Sequence, residues 1–179
     1  MKLIAPLPGT QLRFQNIYAS KALLTDNEAR FFSLLHELSQ GRCQLFAKVN
    51  LADIATPVTG SIGDRNKIDK KHVDFLVCRN EDWMPMLAIE LDDSSHDSKK
   101  RQKADRDKND IFAAIGLPLL RLPLDEIDQH EELIRQLSDA WHQRWHILET
   151  GLPPPKAKPT RKPLWKLWTR KDEAAPSAA

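Results

Sequence analysis

The chain has 179 residues, 41% of them hydrophobic, which suits one monomer-sized domain with an ordinary core plus a tail. Its 27 Lys and Arg against 25 Asp and Glu leave a net charge of +2, so overall charge does not mark a nucleic-acid binder and any such argument rests on distribution. Cys43 and Cys78 have no CxxC or Cys/His spacing, which argues against a zinc knuckle or a disulfide framework and suits a reducing cytoplasm.

The N-terminal stretch Met1 to Pro8 is short and broken by proline, and no apolar run approaches the roughly 18 residues a spanning helix needs; the reading is a soluble, intracellular protein. Residues 1–22 lack sustained periodicity, and Pro6, Pro8 and Gly9 point to an extended leader. Thr25-Asp-Asn-Glu28 has the form of a capping box, and Phe31, Leu34, Leu35 and Leu38 follow at helical spacing until Gly41. Residues 43–49 read as a strand, followed by a loop with Pro57, Gly60 and Gly63. Val73–Val77 and Leu87–Asp92 are too densely apolar for one-sided strands and predict central strands covered on both faces. Residues 98–115 predict a charged helix ended by Gly116, then Leu117–Leu122 a short buried strand. The order is therefore α-β-β-β-α-β. A last helix is predicted over 125–148, with Ile127, Leu133, Ile134, Leu137, Trp141 and Trp145 on its apolar face. The domain thus spans 23–150, and residues 151–179, rich in Pro, Lys, Ala and Ser, predict a disordered tail.

The polar exceptions within the apolar strands carry the chemistry. Side chains alternate along a strand, so Glu90 and Asp92 share a face. If the two central strands pair as a hairpin, Asp74 lies beside Glu90, and three acids converge at one sheet edge. Two carboxylates about 4 Å apart repel by roughly 4 kcal/mol at an effective dielectric near 20, so such a cluster needs a cation or a shared proton. Oxygen ligands suit Mg²⁺ or Mn²⁺ better than zinc. The alternative is structural: Asp92 and Asp93 cap the turn after the strand, and Asp74 pairs with a lysine. His96 follows within a few residues, either as a base near neutral pH or as a solvated surface residue.

Val73-Asp74-Phe-Leu-Val, Ala88-Ile-Glu90-Leu-Asp92-Asp-Ser-Ser-His96, Asp105-x-x-Lys108 and Gly116-Leu-Pro-Leu-Leu-Arg121 together resemble the very-short-patch-repair endonuclease branch of the PD-(D/E)XK nuclease superfamily, and within it a bacterial domain-of-unknown-function family. The resemblance extends upstream to Leu23–Glu28 and covers roughly residues 23–123. It implies a restriction-endonuclease-like αβββαβ core with a mixed central sheet flanked by helices, plus the C-terminal helix. It also implies Asp74 and Glu90 as ligands of Mg²⁺ or Mn²⁺, the Leu91 carbonyl completing the shell, and His96 as the base. Glu28 matches a first-helix glutamate that contacts metal-bound water in related nucleases; the capping box accounts for it equally well. Asp92 stands where the wider superfamily has the lysine of E-x-K, giving an E-x-D-x-x-x-H form that resembles the very-short-patch branch. Lys108 or a neighbour would then supply the missing positive charge, unless Asp105 and Lys108 merely pair along their helix.

The substrate this implies is DNA, with RNA as a weaker alternative. Lys99, Lys100, Arg101 and Lys103, with Arg106 and Lys108, form a basic run able to hold a polyanion, although Asp97, Asp105, Asp107 and Asp110 interrupt it and also suit a solvated helix face. Lys67, Lys70 and Lys71 add a smaller patch. In the tail, basic residues interleaved with Trp165 and Trp168 suit a single strand, a partner protein or an anionic membrane. Two functions therefore compete: a metal-dependent endodeoxyribonuclease, and a catalytically inactive nuclease fold that binds DNA or a protein partner.

Overall fold

A computed structural model describes residues 18–92 and 99–151, without the side chains of 99–104. The predicted leader up to residue 17, His96 and the tail beyond 151 lie outside the described residues; residues 18–22 belong to no helix or strand. The elements are helix α1 (Asp26–Ser39), strand β1 (Cys43–Asn50), helix α2 (Ile62–Ile68), strands β2 (His72–Arg79) and β3 (Pro85–Asp92), helix α3 (Lys99–Ala114), strand β4 (Leu119–Pro123) and helix α4 (His130–Thr150). The strands form one mixed sheet in the order β1-β2-β3-β4, antiparallel except for the β3/β4 pair, which is parallel. Apart from α2, which falls between β1 and β2, this is the αβββαβ order read from the sequence followed by the last helix, with β2 and β3 central.

Helices cover both faces of the sheet. On one, Phe31 and Leu35 of α1 and Leu133 and Ala140 of α4 pack with Phe75, Val77, Leu87, Ile89 and Leu122. On the other, Ile68 of α2 and Phe112 of α3 pack with Leu51, Val73, Leu76, Cys78, Ala88 and Leu117. Burial on both sides explains why β2 and β3 are nearly continuous apolar runs.

Two segments differ from the sequence reading. Within the predicted loop, Ile62–Ile68 forms α2: the Ser61 hydroxyl accepts the Asp64 N–H, and Ile68 is buried in the second core. A cap and one buried anchor outweigh the glycines that suggested a loop. The last helix starts at His130, because Leu124–Glu126 forms a 3₁₀ turn and Ile127 reaches the core from the connection instead.

Helix α3 ends in a Schellman motif, in which the Leu117 N–H reaches the Phe112 carbonyl (3.0 Å) and the Gly116 N–H the Ala113 carbonyl (3.1 Å). Gly116 has φ +64°, and a Cβ there would lie 3.0 Å from Ile147 Cγ2 and 3.3 Å from Arg144 Nη1. Gly116→Ala is therefore expected to destabilise the protein by about 1–3 kcal/mol in a denaturant titration. An unchanged midpoint would mean that α4 yields freely at this contact.

Candidate active site

The site lies where β2 begins and β3 ends, and the surrounding elements bring charged side chains to it for local reasons. Helix α1 is set over the sheet by Phe31 and Phe32, whose rings lie 5.4 and 5.9 Å from that of Phe75. Glu28, three and four residues earlier, shares their face of the helix and so comes down beside the neighbour of Phe75, Asp74.

In β1 the regular alternation breaks at Lys48. Ala47 pairs with Phe75 in the first core and Val49 with Val73 in the second, although all four are odd-numbered and an unbroken strand would keep them on matching faces. Lys48 makes the change with a left-handed backbone, φ 55°, a conformation costing a non-glycine residue roughly 1–3 kcal/mol. Its ammonium donates to Asp74 Oδ1 at 2.8 Å and also binds Glu28 Oε1. The other oxygen of Asp74 accepts the Leu91 N–H at 3.1 Å. Because N–H and C=O of one strand residue face the same neighbouring strand, the Leu91 carbonyl also faces β2.

Glu90, only 7% exposed, lies on the α3 side of β3. A charge so buried needs partners, and it has two. Lys108 of α3 binds Oε1 while also donating to the His72 carbonyl at 2.9 Å; Arg121 of β4, opposite Glu90 in the parallel register, lies 2.8 Å from Oε2. Arg121 further approaches Asp92 (3.6 Å) and Asp105 (3.5 Å) and donates to Asn109 Oδ1 (3.3 Å).

Of the residues named from the sequence, Glu28, Asp74, Glu90, Asp92, Lys108 and the main chain of Leu91 therefore gather here. Asp92 shares its face with Glu90, as alternation predicts, since both reach Arg121. Asp105 and Lys108 turn to different partners, Arg121 and Glu90. Glu28 serves two purposes at once, because Oε2 completes the capping box on the Thr25 N–H (2.9 Å) while Oε1 meets Lys48. The pairing of Asp74 with a lysine also holds, and the lysine is Lys48. His96 lies outside the described residues; Lys99, Lys100, Arg101 and Lys103 lie on α3 with side chains outside them. Sequence reasoning assigned no role to Lys48 or Arg121, yet each is the lone charged residue of its apolar segment, the signal that singled out Asp74.

The donors Asp74, Glu90 and the Leu91 carbonyl are all oxygen and fit Mg²⁺ or Mn²⁺ in kind. Among the described residues no group of three His, Cys, Asp or Glu side chains is gathered closely enough to hold a metal. An ion here would have only two carboxylates, the carbonyl and water to draw on, a set of the kind magnesium accepts.

Burial pushes the Glu28 carboxyl up, but hydrogen bonds from Lys48 and Thr25 outweigh it and hold it below its ordinary 4.5. Burial likewise pushes the Lys48 ammonium down, and Asp74 and Glu28 more than offset this, holding it above 10.5. A lowered carboxyl stabilises the fold above its ordinary value and loses that contribution as pH falls through the folded one; a raised lysine stabilises below its ordinary value and loses it as pH rises through the folded one. The pair thus contributes between pH 4.5 and 10.5. Melting temperature should fall more steeply below pH 4.5 in wild type than in Glu28→Gln. Parallel curves would show that Glu28 carries none of the acid sensitivity.

Fold and site together define an α/β protein whose mixed four-stranded sheet gathers acidic and basic side chains at one end. A family model described as a protein of unknown function, DUF2726, matches residues 20–141, and the chain belongs to that family. The match includes Glu28, Lys48, Asp74, Glu90, Lys108 and Arg121. No curated protein and no solved structure matches the chain. Among the described residues no helix is long and apolar enough to cross a membrane.

Proposed function

We propose that this chain is a divalent-cation-dependent endonuclease of the PD-(D/E)XK type that hydrolyses phosphodiester bonds in DNA, in the cytoplasm. The observation that carries the reading is that Asp74 and Glu90 stand on adjacent, paired central strands, with Leu91, the residue after Glu90, bound to Asp74 through its N–H. The αβββαβ order and the flanking cations support it.

Asp74, Glu90 and the Leu91 carbonyl hold Mg²⁺ or Mn²⁺. When bound, such an ion polarises a phosphate oxygen and makes water more acidic. Lys108 and Arg121 pair with Glu90 and orient it, each tied to a second group so that the carboxylate does not swing. His96, in the connection after β3, takes the proton of the attacking water. The first half of α3, with Lys99, Lys100, Arg101 and Lys103, contacts the DNA backbone. The tail, with Trp165 and Trp168, grips a partner protein or a single strand.

One observation favours the second reading, a nuclease fold that binds without cutting: both carboxylates are already held by basic side chains. Nicking of supercoiled plasmid with Mg²⁺, with Mn²⁺ and with chelator separates the two, and RNA in parallel tests substrate class. Cation-dependent cutting of DNA supports the enzyme. DNA binding without cutting supports the inactive module.

A further inference from the structure

The three basic residues of the site are not held alike. Lys108 is tied to the main chain through the His72 carbonyl as well as to Glu90, and Arg121 is tied to Asp105 and Asn109 as well as to Glu90. Lys48 has two partners, the carboxylates of Glu28 and Asp74, and its side chain is 30% exposed, so solvent is open to it. It also occupies a telling oxygen. Asp74 Oδ2 accepts the Leu91 N–H, and Lys48 sits on Oδ1, the oxygen to which no main-chain donor is bound. Glu28 and Asp74 come from different elements and would repel one another were that ammonium absent. The chain keeps it there at the expense of a left-handed residue inside a strand.

We infer that Lys48 is a resident counter-ion, which neutralises Glu28 and Asp74 in the ion-free protein and is displaced into solvent when a divalent cation takes Asp74. The inference rests on the reading of Asp74 and Glu90 as an ion-holding pair. An ammonium and a divalent cation on the same carboxylate repel, so the ion binds more tightly once Lys48 has left. Lys48 thereby weakens ion binding and, in exchange, keeps the ion-free site intact.

The test is calorimetric titration of the full chain with Mn²⁺, with melting temperature followed in parallel. It compares wild type, Lys48→Met, and Lys67→Met as a control for net charge, Lys67 being exposed and paired with Asp64 on α2. Lys48→Met is expected to bind Mn²⁺ about tenfold tighter or more, and Lys67→Met to differ from wild type by less than about twofold. Without the ion Lys48→Met melts below wild type, and Mn²⁺ raises its melting temperature by more. Should Lys48→Met fail to fold, Lys48→Gly removes the ammonium while relieving the positive φ, and the same gain in affinity is expected. Equal or weaker binding by the Lys48 variants, with wild type still binding, overturns the inference and makes Lys48 an organiser of the ligands. Absence of Mn²⁺ binding in every protein overturns the ion-holding reading itself.

Discussion

On the proposed nuclease reading, Asp74→Asn and Glu90→Gln should each lower Mg²⁺-dependent nicking of supercoiled plasmid by about a thousandfold or more, because each would remove a charged ligand from an ion whose contribution is several kcal/mol. Their effects on stability should differ, and that difference separates catalysis from folding. Glu90 is 7% exposed and neutralises Lys108 and Arg121. Its amide leaves two cations facing each other in a partly buried space, at a cost of about 2–3 kcal/mol. Asp74 is more open, and an asparagine in its place still accepts the Leu91 N–H through its amide oxygen, so the loss there is about 1 kcal/mol. Asp74→Asn is thus the cleaner test: a folded protein with lost cutting supports the nuclease. If both variants cut as wild type does, or if chelator has no effect, the metal-dependent mechanism is overturned.

The second large effect is expected far from the chemistry. Arg144 of α4 is buried, and its guanidinium donates to the carbonyls of Pro85 (3.1 Å), Ile115 (2.9 Å) and Gly116 (2.9 Å). The last two close the C-terminal end of α3, where orphan carbonyls and the negative end of the helix dipole favour a cation. The first lies at the start of β3. One side chain of α4 therefore ties together β3 and α3, the two elements that deliver Glu90 and Lys108. Burial pushes the Arg144 pKa below its usual range, while three carbonyl oxygens and the Met84 sulfur (4.0 Å) answer its N–H groups. Arg144→Met keeps much of the stem and loses the donors, so the measured change reports the hydrogen bonds. A loss of about 3 kcal/mol or more is expected, with a fall in melting temperature of roughly 6–12 °C. A change below about 1 kcal/mol would mean that water replaces the guanidinium at all three carbonyls.

What the sequence determined by itself was whatever depends on near neighbours. The Thr25–Glu28 box needs residues three apart, and the structure forms both of its hydrogen bonds. Dense apolar runs mark β2 and β3 as central because burial on two faces leaves no polar alternation. Period two aligns Glu90 with Asp92, and a hairpin between consecutive strands brings Asp74 alongside. Most of the acidic half of the site was legible for those reasons.

The basic half was decided by tertiary structure. Lys48 meets Asp74 because β1 pairs with β2 and turns over at a left-handed residue, and nothing within β1 announces that turn. Arg121 meets Glu90 through a parallel pairing reached only after the whole of α3, which also carries Lys108 back across the sheet. Helix α2 depends on the core that receives Ile68, and Arg144 on carbonyls supplied by two distant segments. Glu90 and Asp92 show their shared face by alternation alone. The partner of a long basic side chain is set by which strands and helices lie next to one another, and that is a property of the assembled sheet.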